Sequence, residues 1–154
     1  MTNMPLSDPD SVPLAAFPLA WRWTQPNQHL LAPSVLATIR AFSPTAASKL
    51  DPNNLLHCRE GTDQAPARRV ATDGDQSVVR DWLEGLSVGP SEPVIISWDN
   101  TTAIATIWQT FADHWDAFCY PSSDDVAISA PACDWVLCYS HYEVLELRFR
   151  NAAA

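Results

Sequence analysis

Trp135-Val136-Leu137-Cys138-Tyr139 and Val144-Leu145-Glu146-Leu147-Arg148-Phe149, separated by Ser140-His141-Tyr142-Glu143, decide how the chain is read. Successive side chains of an extended strand point to opposite faces, so Trp135, Leu137 and Tyr139 share one face. Leu145, Leu147 and Phe149 do the same in the next segment, with Glu146 and Arg148 outward. Val126 to Ser129 reads as a third short strand, and Ala130 to Asp134 as the turn after it. Strands at 126–129, 135–139 and 144–149, joined by tight turns, form an antiparallel meander.

Upstream, Val94 to Trp98 reads as a buried strand, and Asp99 or Asn100 as the cap of a following helix. Ile104, Ile107, Trp108, Phe111, Trp115 and Phe118 recur at three- and four-residue steps, which predicts one amphipathic helix over about 100–118. Helix and sheet each have one apolar face to bury. The expected class is therefore α+β: an antiparallel C-terminal sheet packed by a long amphipathic helix, with further short helices in the N-terminal half. Those helices start at Ser34, running through Phe42, at Ser43-Pro44, running to about Leu50, and after Asp75. The last carries Val78, Val79, Trp82, Leu83 and Leu86 as a stripe, and Gly89-Pro90 stops it. Trp21 and Trp23 alternate around Arg22 as a short strand with both rings on one face. Residues 51–74 are the least patterned.

The chain has 154 residues, the size of a single domain, 1–154, and 47% apolar residues can form a sizeable core. Four prolines in the first twenty residues make 1–16 a loosely ordered arm. No apolar run approaches the ~18 residues of a membrane helix. Met1 to Asp10 has no Lys or Arg, so no secretory signal and a cytoplasmic location are expected.

Charge is unevenly distributed. Residues 1–80 hold seven acidic and seven basic residues; residues 81–154 hold eleven acidic residues against Arg148 and Arg150, and so carry the whole net charge of -9. Such a field repels nucleic acid and anionic membrane and attracts basic partners, although acidity also serves solubility. Cys58, Cys119, Cys133 and Cys138 include no Cys-x-x-Cys pair, which argues against structural zinc. They are expected to be mostly reduced and buried.

Several groupings carry chemistry on paper. Asp124-Asp125 could bind a hard cation with Glu143 or form an acidic turn. Asp113 and Asp116 share a helix face as a solvated surface or a partner contact. His141 and Glu143 could work with Cys119 or Cys138 as a Cys–His nucleophilic site. His57-Cys58-Arg59-Glu60 is a weaker version of the same idea. Most of the seven tryptophans lie on apolar stripes and belong to the core, and their acidic neighbours argue against single-strand nucleic-acid binding.

Ile96-Ser97-Trp98-Asp99, Trp115-Asp116-Ala117-Phe118-Cys119-Tyr120-Pro121-Ser122-Ser123-Asp124-Asp125-Val126 and Trp135 to Glu143 resemble a small proteobacterial family with a W-D-x-F-C-Y-P-S-S-D-D-V motif. More loosely, they are similar to the SUKH-type immunity proteins of bacterial toxin systems. The likeness covers about residues 94–149. It implies a cytoplasmic α+β protein that neutralises a cognate toxin by binding it, and it brings no catalytic residues and no cofactor. The expected function is thus a non-catalytic, acidic, immunity- or antitoxin-like protein for a basic effector such as a nuclease. Asp113, Asp116, Tyr120, Asp124, Asp125, His141, Tyr142 and Glu143 are the expected partner-binding residues. The alternative is a metal-dependent hydrolase or other enzyme using Asp124, Asp125, His141 and Glu143.

Overall fold

A computed structural model describes residues 10–50, 58, 68–121 and 123–149. Their strands are β1 (Ser11–Val12), β2 (Arg40–Phe42), β3 (Arg68–Ala71), β4 (Pro93–Asp99), β5 (Thr102–Ile107), β6 (Val126–Ser129), β7 (Trp135–Ser140) and β8 (Val144–Phe149). They form one sheet in the order β1-β2-β5-β4-β6-β7-β8-β3, and every neighbouring pair is antiparallel. The α-helices whose bounds lie within these residues are short: α1 (Trp21–Thr24), α2 (Pro33–Leu36), α3 (Pro44–Leu50), α4 (Gln76–Glu84), α5 (Trp108–Asp113) and α6 (Trp115–Phe118).

This overturns the expected fold class. Among the described residues no long amphipathic helix packs on a C-terminal sheet, and the sheet runs through both halves of the chain. The segment 100–118 divides into β5, α5 and α6. Four of the six β5 residues, Thr102, Ile104, Thr106 and Ile107, are β-branched, a composition that suits a pleated strand better than a helix. Asp99 does accept from the Thr101 N–H at 2.9 Å, as a helix cap would, but the chain continues into a hairpin with Asp99 opposite Thr102. At His114 (φ −127°, ψ 31°) the remaining helical stretch breaks again. The three- and four-residue spacing therefore comes from a strand and two helical turns in succession.

The other differences share a cause. The helix expected from Ser34 to Phe42 ends at Leu36, because Arg40 and Ala41 pair with Ala105 and Ile104 of β5. Trp21 and Trp23 lie in a helix rather than a strand, so they diverge. Trp23 is fully buried and its indole donates to the Ala117 carbonyl at 2.9 Å, while Trp21 is partly exposed. Ser43 and Asp75 cap α3 and α4, accepting from Ala46 N and Ser77 N. Of the arm, Met1–Pro9 lies outside the described residues, whereas Ser11 and Val12 pair with Phe42 and Ala41. Most of 51–74 also lies outside them.

Both faces of the sheet are covered. Ile96, Ile104, Ile128, Leu137 and Leu145 point into the main core with Trp23, Phe111 and Phe118. On the other face Ile95, Ala103 and Ala105 meet Ala46 and Ala47 of α3. Farther along that face Cys58 packs on Ala127, Val136 and Cys138, and the two cysteines form a disulfide. The expectation of four reduced thiols is thus corrected for this pair. Cys119 and Cys133 carry no disulfide. Their residue type alone could not distinguish a buried thiol from half of a cross-link closing 80 residues.

Candidate functional site

The loop between α6 and β6 folds back on its own aspartate. The Asp124 N–H donates to the Tyr120 carbonyl at 3.2 Å, and the Tyr120 N–H donates to Asp124 Oδ2 at 2.9 Å. This brings the carboxylate inward, where Arg22 of α1 meets it with two parallel hydrogen bonds of 2.7 and 3.1 Å. Asp124 and Arg22 are 6% and 5% exposed. A bidentate arginine fork is the geometry best suited to holding a carboxylate away from water.

Arg22 also lies 3.9 Å from the centre of the Tyr120 ring. The tyrosine hydroxyl donates to Gln28 Oε1 at 3.1 Å and lies 3.0 Å from His29 Nδ1, while His29 Nε2 stands 3.5 Å from an Asp116 oxygen. Burial pushes the Tyr120 hydroxyl pKa up. Tyr120, Asp116 and Asp124 are therefore assembled around Arg22 as parts of one network.

Asp125 points elsewhere, as neighbours on an extended chain do. Its Oδ1 accepts from the His141 main-chain N–H at 3.1 Å and lies 3.0 Å from His141 Nδ1, tying the loop to the β7–β8 turn. The His141 and Tyr142 rings are 4.1 Å apart, and Tyr142 is 80% exposed. Glu143 closes the turn with φ at 64°, a left-handed conformation uncommon for a residue with a side chain. Its N–H donates to the Ser140 carbonyl at 2.8 Å. Asp113 lies apart, at the end of α5, where its carbonyl accepts from Arg80 Nε at 3.3 Å.

Comparison with family models, curated proteins and solved structures finds no match.

The geometry bears directly on the enzymatic alternative. Asp124 already accepts from Arg22, Ser123 and Tyr120, so it does not face Asp125 across a shared cation. Among the described residues no three His, Cys, Asp or Glu side chains are grouped to hold a metal. Cys138 is in the disulfide, and burial raises the Cys119 thiol pKa well above its usual value, which opposes thiolate formation. His57, Arg59 and Glu60 lie outside the described residues, and Cys58 is cross-linked.

Arg22, Gln28 and His29 were not among the expected site residues. One signal was available. Arg22 is the only Lys or Arg in the first 39 residues, and it stands between two tryptophans. A lone basic residue in an apolar setting calls for a buried acidic partner. Nothing local identifies that partner as Asp124.

Proposed function

We propose that this protein is a non-catalytic binding protein of the immunity or antitoxin kind, which neutralises a basic effector by direct contact. The observation that carries this reading is the tip of the β7–β8 hairpin. Tyr142 stands 80% exposed there, beside the Asp125–His141 pair and Glu143. An aromatic ring held on a hydrogen-bonded turn and flanked by carboxylates suits a partner with a basic rim and an apolar centre. The -9 charge of the second half supplies long-range attraction to such a partner. The resemblance to immunity proteins supports the same class, and a nuclease-type toxin is the effector it implies.

Asp116, Tyr120 and Asp124 contribute by holding the loop under this surface, and Asp113 adds to the acidic field. Neither nucleic acid nor a membrane is the expected partner. No helix among the described residues is long and apolar enough to cross a membrane. The proposed site of action is the cytoplasm, which requires the Cys58–Cys138 disulfide either to persist there or to be dispensable.

The test is titration calorimetry against the purified products of the genes flanking its own, at two salt concentrations. The reading requires one basic product to bind, more weakly as salt rises. Failure of every flanking product to bind removes its basis.

A further inference from the structure

A cavity of about 260 Å³ lies at the end of the sheet opposite the β7–β8 turn. The ladder sets Trp135, the first residue of β7, against Phe149, the last of β8, and both line the cavity together with Leu147. Alternation along the strands puts these three side chains on one face. Leu86 and Val88, from the loop after α4, add to the apolar wall and pack on the main core. The Trp135 ring is held edge-on against Trp108, with 5.5 Å between centroids. Trp135 is half-buried and Phe149 is 40% exposed, which leaves aromatic surface for an occupant to cover.

One charged residue, Glu92, lines this wall. Val94 and Ile96 of β4 point into the main core, so the same alternation carries position 92 onto their face. Both main-chain polar groups of Glu92 are engaged: its N–H donates to the Gly89 carbonyl at 3.0 Å, and its carbonyl accepts from the Trp108 N–H at 2.9 Å. The polar group it can offer the cavity is therefore its carboxylate. Glu92 is half-buried, and among the described residues no hydrogen bond or ion pair engages that carboxylate. A partly desolvated charge beside apolar walls is costly until an opposite charge meets it.

We propose that the cavity binds a small free amine, its ammonium on Glu92 and its apolar body against Trp135, Leu147 and Phe149. The carboxylate selects a cation, and an indole face adds to the attraction. The volume is below the ~300–1,000 Å³ of pockets for drug-sized ligands, and so suits one ring on a short chain. The site stands apart from the proposed protein contact. β7 and β8 are each six residues long, so at ~3.3 Å per residue the cavity and Tyr142 are about 20 Å apart.

The experiment titrates the full chain with phenethylamine, followed by nuclear magnetic resonance. The neutral phenethyl alcohol and the anionic hydrocinnamate are the controls. The amine should shift the Trp135 indole N–H saturably and bind at least about fivefold more tightly than the alcohol, the equivalent of one ion pair at ~1 kcal/mol. Hydrocinnamate should leave that signal unmoved. Glu92→Gln should bind amine and alcohol alike, with its melting temperature retained, whereas Phe149→Ala should weaken both. Equal binding of amine and alcohol by the parent, an unmoved Trp135 indole, a preference that survives Glu92→Gln, or unchanged affinities in Phe149→Ala overturns the site. A flanking-gene product that displaces the amine also overturns it, by giving the cavity to a lysine of that partner. One that binds without displacing the amine upholds it, and a selective amine with no protein partner upholds the site while defeating the proposed function.

Discussion

Arg22 and Asp124 are 102 positions apart in the chain and form a bidentate ion pair whose side chains are 6% and 7% exposed. The pair ties α1 to the loop before β6, and Tyr120 stacks on it. Breaking such a pair leaves one charge buried without its partner. Arg22→Leu or Asp124→Asn should each lose about 3–5 kcal/mol of stability, and Arg22→Met with Asp124→Leu should recover much of the loss. Chemical denaturation at neutral pH measures this. An Asp124→Asn protein within about 1 kcal/mol of the parent would show that the pair contributes no more than a surface contact.

The Cys58–Cys138 disulfide closes a span of 80 residues and fastens Cys58 to the face of β7 opposite the main core. A cross-link over so long a span restricts the unfolded chain strongly. Denatured, unreduced protein should show only the Cys119 and Cys133 thiols on titration, and Cys138→Ser should lose about 2–5 kcal/mol. Four titratable thiols in freshly isolated protein would return the chain to the reduced state expected from its sequence.

The parts of the fold legible from sequence are those where one period dominates. Trp135 to Tyr139 and Val144 to Phe149 alternate with period two, and they lie in β7 and β8. Ser43 and Asp75 give local capping signals that need no distant partner. Ile104 to Phe118 misled because strand and helix share the positions i and i+4, so six apolar residues across β5, α5 and α6 imitate one stripe. β2 and β3 are short, and their strand character comes from Ala105 and Leu145 across the sheet rather than from their own residues. At the site, the turn that carries His141 and Tyr142 could be located by its turn residues, but not its tie to Asp125. The environment of Asp124 could not, since Arg22 is supplied from the far end of the sequence.

Tyr139 sits 2% exposed in β7, and burial raises its hydroxyl pKa from 10.0 to about 12. The folded state therefore retains this proton at a pH where the unfolded chain has released it. Stability from this group is fully present below about pH 10 and declines as pH rises towards 12, by at most about 1.4 kcal/mol per pH unit. Tyr139→Phe should flatten that part of the curve in alkaline denaturation. An equal alkaline slope in the variant would place its origin elsewhere.

Tyr142 and Glu143 should separate stability from binding within one turn. Tyr142 is 80% exposed, so Tyr142→Ala should change stability by no more than about 0.5 kcal/mol. Glu143 has φ at 64°, where a side chain costs ~1–2 kcal/mol and glycine is exempt. Glycine also loses more backbone entropy on folding, by about 0.5–1 kcal/mol, so Glu143→Gly should be neutral to slightly stabilising. Glu143→Val retains the strain and adds β-branching, and should destabilise by at least about 1 kcal/mol. If the turn is the contact surface, Tyr142→Ala should raise the dissociation rate from the basic partner at least about tenfold, as loss of a central aromatic does. Glu143→Gly should mainly slow association at low salt, since a rim charge acts on encounter. Melting curves and surface plasmon resonance on the same samples separate the two effects. A Tyr142→Ala protein that melts and dissociates as the parent does would move the contact away from this hairpin.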